Sequence, residues 1–81
     1  MIIKYPLGTE KSIRLMEAEN KLVFIVDNKA TKTQVKKDLE ERFKVQVTSV
    51  NTHTLRGRKK AVVTFAQETP AIDLATKLGL L

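Results

Sequence analysis

A chain of 81 residues can build a modest core but leaves little to enclose a deep substrate cavity beside it, so a single domain without enzymatic activity is the expectation. Fifteen Lys and Arg against nine acids give a formal charge of +6 and an isoelectric point near 9.8, a balance that suits polyanions, nucleic acid first and an anionic membrane surface second. With no Cys, disulfides, thiolate chemistry and most zinc sites are excluded, and a metal would depend on His53 and carboxylates; no cofactor is expected.

Ile2 to Tyr5 reads as a short first strand, followed by a turn at Pro6 and Gly8 and by Thr9 as the N-cap of a helix from about Glu10 to Ala18. Ile13 and Met16 mark its core face, and Lys11, Arg14 and Glu17 its wet face. Leu22 to Val26 is continuously apolar, as expected of a central strand covered on both faces. This longest apolar run is far below the roughly 18 residues of a membrane span. The opening Met1-Ile2-Ile3-Lys4 lacks the long apolar region of a signal peptide, so a cytoplasmic protein without membrane insertion is expected.

Asp27 to Ala30 forms a turn, and Thr31-Lys32-Thr33-Gln34 has the pattern of a capping box opening a second helix, whose apolar stripe is Val35, Leu39 and Phe43. Val45 and Val47 alternate with polar neighbours until the pattern slips at Val50, which predicts a bulge near Thr48 or Ser49. Leu55 ends that strand, Arg56-Gly57-Arg58 supplies a short turn, and Ala61, Val63 and Phe65 alternate along the return strand of a hairpin. Thr69 and Pro70 fit the N-cap and first position of a last helix carrying Ile72, Ala75 and Leu78, with Gly79 as its stop.

Lys29, Lys32, Lys36 and Lys37 crowd the N-terminal turns of the second helix, where the macrodipole disfavours cations. A phosphate there is favoured by the free N–H groups and the lysines together, and a solvated basic face is the plain alternative. Arg56, Arg58, Lys59 and Lys60 load the hairpin tip, where long side chains can reach phosphates; Lys4 and Lys11 add a third patch. The stretch Arg58 to Phe65 superficially follows an RNA-recognition motif, but Arg58 and Lys60 stand where stacking aromatics belong. Any RNA recognition is therefore expected to run through phosphate, sugar and folded shape rather than stacking on single strands.

Catalytic signals are weak. Ser49 and His53 have no evident acid partner, the three glycines make no phosphate-binding loop, and Asp38, Glu40 and Glu41 read as exposed partners of neighbouring cations. Glu17 and Glu19 close the first helix at its negative pole, where acids are locally unfavourable unless the helix ends early and both are simply wet.

The succession Y-P-L-G-T-E-K-S at Tyr5 to Ser12, A-T-K-T-Q-V-K-K at Ala30 to Lys37, V-N-T at Val50 to Thr52 and the basic hairpin R-G-R-K-K resembles the large-subunit ribosomal protein twenty-three family over nearly the whole chain. The resemblance implies an α/β (α+β) domain with a four-stranded, mainly antiparallel sheet in the order 1-2-4-3 and helices on both faces. It also implies binding in domain III of large-subunit rRNA, near the peptide tunnel exit and beside other large-subunit ribosomal proteins. The family's RNA contacts map onto Lys4, Tyr5, Thr9, Glu10, Lys11, Lys29 to Lys32 with Thr31 between, Lys36, Asn51, Thr52, Arg56, Arg58, Lys59 and Lys60. By the same resemblance Glu17 aligns with the exposed acidic position that bacterial relatives use to dock a nascent-chain chaperone, and an archaeal-type ribosome is expected to present it to a signal-recognition particle or a translocation channel. The short Arg56-Gly57-Arg58 turn looks like the compact archaeal-type form and lacks the extension that lines the tunnel in bacterial relatives. Two other readings stay open from the residues: a small α/β regulatory or protein-interaction module, and an RNA-binding protein outside the ribosome.

Overall fold

The computed structural model describes residues 2–80. Along the chain lie β1 (Ile3–Pro6), α1 (Glu10–Glu19), β2 (Lys21–Val26), α2 (Lys32–Phe43), β3 (Val47–Leu55), β4 (Arg58–Phe65) and α3 (Ala71–Lys77). The strands form one antiparallel sheet in the order β1-β2-β4-β3, the α+β topology that the family resemblance implies. Strand β2 is the pivot, paired with β1 from Phe24 to Val26 and with β4 along its whole length, from Lys21↔Thr64 to Val26↔Lys59.

Alternation divides β2 and β4 between two faces. Leu22, Phe24, Val26, Ala61, Val63 and Phe65 join Val35 and Leu39 of α2, Leu74 and Ala75 of α3 and Met16 of α1 in one apolar core. Each Val, Leu, Phe or Met side chain among them, fully buried, contributes roughly 1.5–3 kcal/mol of transfer free energy. Val23 and Ile25 face the other way and are buried too, which is why the strand lost its polar alternation. Leu15 and Ser12 of α1 border a groove with Val23 and Val62 there, so helical cover reaches the second face along β2. It stops short of β3, whose Ser49, Asn51, His53 and Leu55 are all exposed.

Local signals account for most boundaries. Thr9 caps α1 by accepting from the Ser12 N–H, and Thr31 and Gln34 form the complete capping box of α2. The register of β3 shifts between Val47 and Ser49, the bulge that the slipped alternation predicts. At the C-terminal end of α3, Gly79 (φ 80°) supports a Schellman pair, Leu80 N–H to Ala75 carbonyl and Gly79 N–H to Thr76 carbonyl.

One cap differs from expectation. Thr69 does not cap α3; its hydroxyl accepts from the Gln46 N–H at 3.2 Å, and Pro70 occupies the N-cap position. The helix start is held from a distance by Asn20, whose Oδ1 accepts the Ala71 N–H at 2.6 Å. The same amide donates toward the carbonyls of Phe65, Ala66 and Thr69. Asn20 itself terminates α1 in the left-handed region (φ 56°, ψ 41°), a conformation that asparagine tolerates better than most residues.

Replacing Asn20 therefore removes two terms at once. Asn20→Ala is expected to lower stability by about 2–4 kcal/mol, from the orphaned polar groups and the left-handed backbone. Asn20→Gly, which relieves the backbone term, is expected to lose about 1 kcal/mol less in urea melts. Equal losses would show that the backbone conformation contributes nothing.

Candidate nucleic-acid interface

The pairing of β4 with β2 carries the hairpin tip to the end of the sheet where α2 begins. Two side chains fix that approach. Asn28 Nδ2 donates to the Gly57 carbonyl at 3.0 Å, and Lys59 Nζ donates to the Ala30 carbonyl at 2.6 Å. The tip is a two-residue turn with positive φ at both Arg56 (53°) and Gly57 (76°), the class whose twist matches antiparallel strands. Gly57 enters that region freely, whereas Arg56 does so at a cost of about 1–2 kcal/mol.

Three basic segments that lie apart in sequence thus share one end of the domain. Lys29 and Lys32 flank the start of α2, Arg56, Arg58 and Lys59 come from the hairpin, and Lys4 stands at the irregularity in β1 beside Val26. Asp27 sits among them. The Lys29 N–H donates to its Oδ1 at 2.9 Å and holds the carboxyl below the usual carboxylate range, with the charges of Lys4 and Lys29 adding to the effect. The capping box uses the N–H groups of Thr31 and Gln34, leaving those of Lys32 and Thr33 at the helix end. Donors and cations on this end match a line of phosphate oxygens.

The other predicted contacts divide. Lys36 lies one turn farther along α2, exposed. Tyr5, Asn51 and Lys60 fall on the second face of the sheet, where Ile25 is the register partner of both Tyr5 and Lys60. Thr9 and Lys11 border that face from α1. Asn51 and Thr52, adjacent in sequence, point to opposite faces, and Thr52 is half-buried on the core side opposite Ala61. Thr9 is committed to its cap, Thr31 to the capping box, and Glu10 to Arg14 at 2.9 Å.

Glu17 is far from the cationic end. It borders an open depression with Met16, Glu19, Gln67 and Ile72, at the end of the β2–β4 ladder where β2 starts. Five steps of about 3.4 Å separate the two ends of that ladder, roughly 17 Å. Glu19 is paired with Lys21 at 3.1 Å, so of the two acids at the end of α1 Glu17 is left without an ion pair among the described residues. Of the acids of α2, Asp38 makes the expected i,i+4 pair with Arg42 at 3.7 Å, though it is partly buried, whereas Glu40 departs from the exposed-partner reading: it accepts the Val47 N–H at 3.3 Å, where it helps to start β3. Asn28 carries structural weight that its place in a turn did not reveal, because its partner lies 29 residues away.

Among the described residues no helix is long and apolar enough to cross a membrane, and no group of His and acidic side chains could hold a metal. Fold and surface define a class: a small, strongly basic, helix-backed antiparallel sheet in which three basic segments meet at one end. The family model described as ribosomal protein L23 matches residues 1–76, and the chain belongs to that family. It is similar to the large ribosomal subunit protein uL23 of Methanococcus aeolicus, 46% identical over 80 residues that cover 98% of this chain and 93% of that protein. The protein of the same name from Tetrahymena thermophila is 44% identical over 81 residues, 99% of this chain; the chain spans only 54% of that relative's length.

The two pins generate a structural test. In Asn28→Ala combined with Lys59→Ala, the amides of Leu55 to Arg58 are expected to exchange with solvent at least about tenfold faster, equivalent to about 1.4 kcal/mol, while core amides of β2 keep their protection. Unchanged exchange at the tip would mean that the turn alone holds it in place.

Proposed function

We propose that the chain is a non-catalytic component of the large ribosomal subunit, bound through its cationic end to large-subunit rRNA. By this reading it sits in domain III near the peptide tunnel exit, among neighbouring large-subunit ribosomal proteins, in the cytoplasm. The observation that carries the proposal is the pinning of the hairpin tip against the start of α2 by Asn28 and Lys59, which sets Lys29, Lys32, Arg56 and Arg58 on one end of the molecule. Gathering like charges there is unfavourable for the isolated domain and favourable against a folded polyphosphate. Family membership and the large-subunit relatives support the same partner.

Binding of the chain to a folded rRNA fragment is expected to show a log–log salt slope of magnitude about 3–5, for about five phosphates neutralised. Lys32→Glu with Lys36→Glu, or Arg56→Glu with Arg58→Glu, is expected to weaken binding by at least about a hundredfold without unfolding the domain. Lys44→Glu with Lys77→Glu removes the same charge around the far end of α2 and is expected to weaken it much less. Equal losses from all three pairs would mean that only net charge matters, and a slope near zero would remove the rRNA reading.

A second role is favoured by a separate observation: Glu17 lies at the opposite end of the β2–β4 ladder, beside Ile72, an apolar side chain 49% exposed. With the cationic end against rRNA, this end faces away and can dock a nascent-chain factor such as a signal-recognition particle or a translocation channel. Glu17→Lys is expected to leave subunit incorporation intact and to weaken factor binding to assembled ribosomes by about two- to fivefold, the size of an exposed charge contact. Unchanged factor affinity in a salt titration would make Glu17 a solvated helix end.

A further inference from the structure

The second face of the sheet carries a groove that phosphate contacts at the cationic end leave unused. Its floor is Val23 and Val62, one wall is Leu7 and Leu15, and Lys11, Lys60 and His53 stand around it. The hydroxyls of Thr9 and Ser12 also border it but are spent internally: Thr9 accepts the Ser12 N–H, and Ser12 Oγ lies 2.8 Å from the Leu7 carbonyl and 2.9 Å from that of Thr9. The polar groups left for a ligand are two ammonium groups and an imidazole. No carboxylate lines the groove, and neither Lys11 nor Lys60 forms an ion pair among the described residues. Its volume of about 190 Å³ is below the roughly 300–1,000 Å³ of pockets that enclose a whole small molecule. An open apolar slot of that size, whose free polar groups are two cations and a histidine, fits one planar unit of a longer anionic chain.

We propose that this groove receives a single unstacked base of the bound RNA, its ring laid on Val62 and Val23, its edge toward His53 and its flanking phosphates on Lys11 and Lys60. The inference rests on the rRNA reading above and adds to it a base contact that needs no aromatic platform. Unpaired bases are the parts of folded RNA that proteins can take up individually. The base here is gripped by aliphatic surface from the sheet on one side and by the start of α1 on the other. Val62 is half-buried in the free domain, so part of the floor stands ready for a ligand.

The test uses the full chain, a large-subunit rRNA fragment, and chemical probing of base reactivity with and without protein. Val62→Phe fills the slot without removing a charge. It is expected to weaken binding about tenfold, within the range measured for one stacked base, with the salt slope unchanged. One base protected in the wild-type complex is expected to become reactive again. His53→Ala, at an exposed position that the core does not use, is expected to lose affinity a few-fold with the same base affected, which keeps the test decisive even if Val62→Phe fails to fold. Wild-type affinity and wild-type base protection in both variants, with binding still strongly weakened by Arg56→Glu and Arg58→Glu, would empty the groove while leaving the rRNA reading in place. Normal binding of Val62→Phe to bare rRNA but loss from assembled subunits would assign the groove to a neighbouring protein's side chain and overturn the proposal. Absence of RNA binding by the wild-type chain would remove both readings together.

Discussion

The antiparallel pairing of β4 with β2 is the constraint on which the rest of the molecule depends. Its register, from Lys21↔Thr64 to Val26↔Lys59, sets Ala61, Val63 and Phe65 into the core and delivers the hairpin tip to the start of α2. A slip of one residue would turn the buried β4 side chains to the opposite face. It would also remove the Lys59 ammonium from the Ala30 carbonyl. Core packing and surface chemistry are therefore fixed by the same set of strand hydrogen bonds, and the cationic end is as well defined as the core behind it.

The distribution of charge follows from that register. One end of the ladder gathers Lys29, Lys32, Arg56, Arg58 and Lys59, with the Asp27 carboxylate there already engaged by the Lys29 N–H. The other end carries Glu17 and Glu19 at the close of α1, with no basic residue in the last turn of that helix. Neither arrangement is what isolated helices prefer: α2 starts among cations with no acid in its first turn, and α1 ends among acids. Each local cost is small, a few tenths to about 1 kcal/mol in exposed positions. A polyanion against the first end and a cationic or polar partner against the second would offset both.

The sequence revealed what depends on near neighbours. Thr31 and Gln34 are three residues apart and signalled their capping box directly; Thr9 did the same for α1, and the alternation of Val45, Val47 and Val50 located the bulge. The unbroken run Leu22 to Val26 identified the central strand, because only a strand covered on both faces can do without polar residues. Contacts between distant residues stayed hidden. Thr69 looked like a helix cap and instead accepts the Gln46 N–H, leaving α3 to be capped by Asn20 from 51 residues away. Glu40 looked like a solvated partner of nearby lysines, yet it accepts the Val47 N–H. The basic clusters were legible one by one. Their union was not, because it depends on one loop side chain, Asn28, and one strand side chain, Lys59, each meeting a carbonyl 29 residues off.

The proposed orientation of the domain on rRNA is directly measurable, because the chain has no cysteine. A single thiol introduced by Thr54→Cys, beside the hairpin tip, or by Glu17→Cys, at the acidic end, can carry an iron chelate into assembled large subunits without competing sites. Hydroxyl radicals generated there cut only nearby rRNA. Strong, localised cleavage from position 54 and weak or absent cleavage from position 17 is the expected result. Cleavage from position 17 with none from position 54 would contradict the account, because the acidic end would then face the RNA.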